Sequence, residues 1–166
     1  MFRALFRTDA RRNEKTIGLR AGIAGGRTPG AVPGMLTPDF ARYSLALFHE
    51  GRPVFLSEKE GLRPLVECIR ACRGRFRGCE LHDRAIGLAA AKLVVASEGL
   101  VTRIVTRRAS ARAVALLAKH AVPLTAGEVV PVLLNRDRTG PCLMEQKASA
   151  TEDPREFLRE IFAFFS

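Results

Sequence analysis

The sequence predicts an α/β fold, a mixed sheet of about five strands with flanking helices in a three-layer α/β/α arrangement. Three observations point there. An alternating apolar segment turns back on itself early in the chain, helical and strand patterns then alternate, and one helix is apolar nearly all round. A helix of that last kind must be buried against a sheet.

The elements follow in order. Tyr43–Phe48 and Pro53–Leu56 read as a β-hairpin with Gly51 in its turn. Gly61-Leu62-Arg63-Pro64 opens a helix with Leu62, Leu65, Val66, Ile69 and Cys72 on one face, proline being tolerated in a first turn. A basic connector, Arg73–Gly78, leads to a short strand at Cys79–His82, and Asp83 is placed to cap the apolar helix Arg84–Ser97. Thr102–Thr106 reads as a strand, Ser110 as the cap of a helix to about His120, and Val122–Leu124 as another strand. Glu128–Asn135 is expected to be a short helix and Asp137–Gly140 a turn. Asp153-Pro154-Arg155-Glu156 starts the last helix with an N-cap, proline at its first position and glutamate at its third. Phe157, Leu158, Ile161, Phe162 and Phe165 form its apolar face.

Residues 1–34 are different in kind. They combine three Gly/Pro-rich dipeptides with scattered arginine and lack a sustained apolar period, so they cannot offset their ordering entropy by burial. We expect a disordered basic tail there, or upstream sequence ahead of a true start at Met35, and one domain over 35–166. The tail holds seven Lys/Arg against two Asp/Glu, a net +5 and so half of the chain's +10. The remaining charge excess is modest, there is no Trp and only one Tyr, and basic residues are not interleaved with aromatics. Nucleic acid is therefore the less favoured partner and a small molecule the favoured one. The longest apolar stretch, Ala85–Ala96, is too short for a bilayer and no signal peptide is recognisable, so a cytoplasmic protein without membrane association is expected. Cys68, Cys72, Cys79 and Cys142 then read as reduced thiols.

Three stretches carry a family likeness: Glu60–Leu65, Asp83–Ala91 and Leu134–Glu145. In this order and spacing the chain resembles, over about residues 43–165, the prokaryotic family called domain of unknown function 1893. The resemblance implies a cytidine-deaminase-like fold and no assigned reaction. Leu143 departs from the proline that the family places after its cysteine.

A zinc deaminase needs three protein ligands and a proton-shuttling glutamate. Where such ligands would stand, this chain has Ser57-Glu-Lys-Glu-Gly61 and His82-Asp-Arg-Ala-Ile-Gly87, which do not supply the set. Conventional zinc-dependent deamination is not expected, and no cofactor is. One alternative metal set exists in Cys68, Cys72, Cys79 and His82, although Cys72 shares the apolar face of its helix and buried thiols explain the cysteines as well.

The start of the helix after Asp83 is the leading pocket candidate. Its free N–H groups favour an anion, Gly87 lets a ligand approach the backbone, and Arg84 is placed to pair with a phosphate or carboxylate. Gly61, Ser110, Asn135 and Arg136 complete the expected ligand-binding set. In the loop Pro141–Glu145, Cys142 is a candidate nucleophile with Asp83 or Glu145 as proton carrier; among the isolated histidines, His82 at a strand end is the preferred partner. The leading expectation is a non-metal protein that binds a small anionic or nucleotide-like ligand or regulates through it. A cysteine-dependent enzyme and an RNA- or protein-binding module are the alternatives. The phenylalanine-rich last helix offers a homodimer contact, or simply packs into the core.

Overall fold

A computed structural model of the chain describes residues 36–166, which form one compact unit. The expectations for the first 34 residues lie outside the described part. The chain runs β1 (Leu45–His49), β2 (Arg52–Ser57), α1 (Arg63–Cys72), β3 (Cys79–Ile86), α2 (Leu88–Ala96), β4 (Val101–Ser110), α3 (Ala111–Lys119), β5 (Leu124–Val130), α4 (Leu143–Ala150) and α5 (Pro154–Phe164). The strands form one mixed sheet in the order β2-β1-β3-β4-β5, with five helices flanking it. β1 is antiparallel to β2 and β3, whereas β3, β4 and β5 are parallel.

The hairpin forms as its pattern demands, with Gly51 at φ 77° in the turn. α1 begins where Pro64 fixes a first turn that needs no donor, and it buries Leu65, Val66, Cys68, Ile69 and Cys72. α2 is buried along almost its whole length and touches α1, α3, α4 and α5. Its apolar surface on every side is therefore accounted for by neighbours on every side. Leu45, Leu47, Leu81 and Ile104 from the sheet, Leu93 from α2, and Phe157 and Ile161 from α5 meet in one core.

Period-two alternation sends the other half of β1 and β3 to the opposite face. There the buried His82 meets Phe48 and Tyr43, ring against ring. The chain leading into β1 lies over this face: Arg84 donates to the carbonyl of Phe40 and the amide of Leu36 donates to Glu80.

Two expected elements are corrected. β3 does not stop at His82 but runs to Ile86, so Asp83 is a strand residue and not the cap of α2; that cap is Gly87, which has no capping side chain. The reason is tertiary. β3 is the middle strand, and its last residues pair with β4 at Ala85–Arg108 and Ile86–Ala109. Likewise Glu128–Asn135 is not a helix: β5 extends from Leu124 to Val130, pairing with β4 as far as Ser110–Val130. The chain beyond it is irregular up to α4, which itself lies where only a loop was expected.

Candidate functional site

A cleft of about 860 Å³ opens at the carboxyl edge of the three parallel strands. Crossover connections leave the chain's loops and helix starts free at that edge, which is why open α/β sheets bind ligands there. Its size falls within the usual range for small-molecule sites, roughly 300–1,000 Å³. β3 contributes Asp83 and Arg84, β4 contributes Arg108, and β5 contributes Glu128 and Val130. The turn before α1 adds Lys59, Glu60 and Gly61. The far wall is the segment from Pro131 to Glu145, including Asn135, Arg136, Arg138, Cys142 and Met144.

The wall holds its shape through its own hydrogen bonds. The Asn135 side chain donates to Thr139 Oγ1 at 2.9 Å and accepts from the Thr139 amide at 3.0 Å. The Cys142 amide donates to the Leu133 carbonyl at 3.0 Å, which closes the base of the loop. Arg136 reaches Glu60 at 2.5 Å, so an exposed ion pair joins the two sides of the mouth. Arg108 and Glu128 pair at 2.8 Å between neighbouring strands.

At the inner end, Glu145 is only 4% exposed. Its Oε1 accepts from the Ala89 amide of α2 at 3.4 Å, while Oε2 has no partner among the described residues. Burial raises its pKa, opposed by the α2 amides. Thus the first turn of α2, expected to hold a ligand's anion, faces the chain's own carboxylate. Gly87 makes this possible: a Cβ there would overlap Glu145 Oε1 and stand 2.9 Å from its Cδ. Asp83, half-buried, accepts from the Ala85 amide at 3.3 Å. Desolvation pushes its pKa up to about 7, against the lowering effect of the backbone amides and Arg84.

α4 is fastened to α2 at both ends. Glu145 in its first turn meets the start of α2, and Lys92 of α2, 6% exposed, donates to the carbonyls of Ala148 at 2.7 Å and of Thr151. Burial lowers the pKa of Lys92.

Of the candidate residues, Gly61, Asp83, Arg84, Gly87, Asn135, Arg136, Cys142 and Glu145 line the cleft. The guanidinium of Arg84, however, reaches back to Phe40 at 2.6 Å. Ser110 is fully buried and caps α3 by accepting from the Ala113 amide at 3.2 Å; it does not line the cleft. His82 is not brought to Cys142 or to the three buried thiols. Its Nδ1 accepts from the Tyr43 hydroxyl at 2.8 Å and its Nε2–H donates to Glu80 at 2.7 Å, a tautomer assigned from these partners. Among the described residues no three His, Cys, Asp or Glu side chains converge to hold a metal ion. Lys92, Arg108 and Glu128 escaped sequence reasoning. Their signals are a lone lysine inside an apolar helix and opposite charges on strands whose pairing only the fold supplies.

Fold and site together define a single-sheet α/β protein with a polar-ended cleft at the carboxyl edge of its parallel strands. The chain belongs to the family described as a domain of unknown function (DUF1893), which matches residues 40–165. It is similar to the crystal structure of a DUF1893 family protein, TM1506, from Thermotoga maritima. The two are 25% identical with a TM-score of 0.66, over 76% of this chain and 83% of that one. None of the curated proteins matches the chain.

Proposed function

We propose that the protein binds a small anionic or nucleotide-like ligand in this cleft, without a metal, as a binding or regulatory protein. The observation that carries this reading is the mixed lining of the cleft: apolar Leu62, Pro64, Val132 and Leu133 share it with buried Glu145 and half-buried Asp83 and with the exposed cations Lys59, Arg136 and Arg138. Lys59 and Arg136 are engaged with Glu67 and Glu60, and Arg138 has no ion-pair partner among the described residues. Such cations suit a phosphate or carboxylate, and the apolar residues suit a flat ring. No helix among the described residues is long and apolar enough to cross a membrane. Four free thiols, three of them buried, fit a reducing cytoplasm.

Calorimetric titration with ribose 5-phosphate and with nucleoside monophosphates tests the reading. Saturable binding that weakens at least tenfold in Arg138→Glu is the expected result. Unchanged affinity in that variant would remove the cations from the argument.

A second reading is cysteine chemistry at Cys142, which is favoured by one observation: it is the only cysteine that lines the cleft and the only one not buried. Asp83 or Glu145 would carry the proton. Iodoacetamide should then label Cys142 near neutral pH while Cys68, Cys72 and Cys79 stay protected. An inert Cys142 ends this reading. Homodimerisation through the last helix and binding of RNA or another protein have no such specific support.

A further inference from the structure

We propose that the inner end of the cleft recognises a planar, donor-only N–H edge of the guanidine or amidine type, with Glu145 as the residue that selects it. This deepens the ligand-binding reading and rests on it. Glu145 lines the cleft and is almost fully buried, and its Oε2 lacks a partner among the described residues. A buried acceptor left unpaired is costly, and a carboxylate is the most costly case. A ligand donor placed against Oε2 removes that cost, so a donor is favoured there.

The neighbouring groups decide the kind of donor. Asp83 lines the same cleft and is a second acceptor when ionised. Three of the cleft's own donors are engaged within the protein. The Ala89 amide faces Glu145 Oε1, the Arg84 guanidinium donates to Phe40, and Arg108 pairs with Glu128. A ligand edge carrying acceptors would therefore meet acceptors, whereas one carrying only N–H groups is complementary. Carboxylates pair best with planar N–H forks, through short charge-assisted bonds. Such a fork occurs in the N1–H and 2-amino edge of guanine and in the guanidinium of arginine-like compounds. An anionic group at the other end of the same molecule would lie toward Arg138.

Matched pairs of probes separate these sources and test the selection. Guanosine 5′-monophosphate is titrated against inosine 5′-monophosphate, which lacks only the 2-amino group. L-arginine is titrated against L-citrulline, and ribose 5-phosphate serves as the control anion. The fork-bearing member of at least one pair should bind ten or more times tighter than its match. That preference should collapse in Glu145→Gln, whose amide would keep its oxygen on Ala89 and turn its NH2 toward the ligand.

If ribose 5-phosphate binds but neither pair shows a preference, the proposal falls and the cleft remains a ligand site. A preference that survives in Glu145→Gln also overturns it, by placing the selection elsewhere. If no probe binds, both readings fall. Should Glu145→Gln not fold, the wild-type ratios alone decide.

Discussion

Glu145 occupies the space that a side chain on residue 87 would need. Gly87 has φ −96°, which any residue adopts, so glycine is required here by the approaching carboxylate and not by its backbone. Gly87→Ala must displace Glu145 from the Ala89 amide or push Leu133, whose Cδ1 would stand 3.0 Å away. We expect a loss of roughly 1–3 kcal/mol in urea unfolding, as for other overpacked sites. In the Glu145→Ala background the same change should cost far less, since its main obstacle is gone. Equal costs in the two backgrounds would show that the two residues are not coupled.

Lys92 holds the other end of the same helix pair. Its ammonium supplies donors to carbonyls at the end of α4 that have no helical partner. Lys92→Met keeps the aliphatic length within the core and removes the charge. It should cost about 2 kcal/mol, the scale of a hydrogen bond to a charged group. Hydrogen exchange should accelerate in α4 ahead of α3. Uniform acceleration through both helices would point to general loosening and not to a lost fastening.

Asp83 ties stability to pH. Its pKa rises from 3.8 to about 7 on burial, so between these values the folded state binds the proton more tightly than the unfolded one. Stability from this group is therefore present in full below about pH 4 and is lost progressively until pH passes about 7. Asp83→Asn cannot ionise and can still accept from the Ala85 amide. It should be more stable than the parent at pH 8 by roughly 1–3 kcal/mol, with the gap closing toward pH 4. A gap of the same size at both pH values would sink the ionisation argument.

Much of the fold is legible because local signals and tertiary demands agree. The hairpin, α1, the Ser110-capped α3 and α5, whose Asp153 accepts from the Arg155 amide at 3.0 Å, all stand where their patterns put them. Disagreement concentrates at the cleft. Asp83 looks like a cap and Glu128 like a helix residue, yet pairing with β4 extends both strands beyond what their composition suggests. α4 is not legible in the sequence because Leu143–Ala150 has little amphipathic pattern, burying only Glu145 and Ala148. Its readable signal was weak: Glu145 is the third residue after the N-cap Cys142, a position that favours acid. The members of the cleft could be named from motifs, but the occupation of the α2 start by Glu145 depends on two segments 58 residues apart.

Tyr43 anchors the chain entering β1 to the face of the sheet that carries His82. Its hydroxyl donates to His82 Nδ1 and accepts from the Asp39 amide at 2.9 Å, while Glu80 holds the other side of the imidazole. Tyr43→Phe retains the ring contacts with Phe40, Phe48 and His82 but leaves a buried imidazole nitrogen without its donor. The expected loss is about 1–3 kcal/mol, from unpaired buried groups and not from packing. Because Asp39, Tyr43, Glu80 and His82 do not line the cleft, ligand titrations there should be unchanged in Tyr43→Phe at temperatures where it is folded. Amide exchange should rise first in residues 36–42, ahead of β3. Weaker ligand binding by the folded variant would show that the network reaches the cleft, either along β3 or through Arg84, which lines the cleft and donates to Phe40.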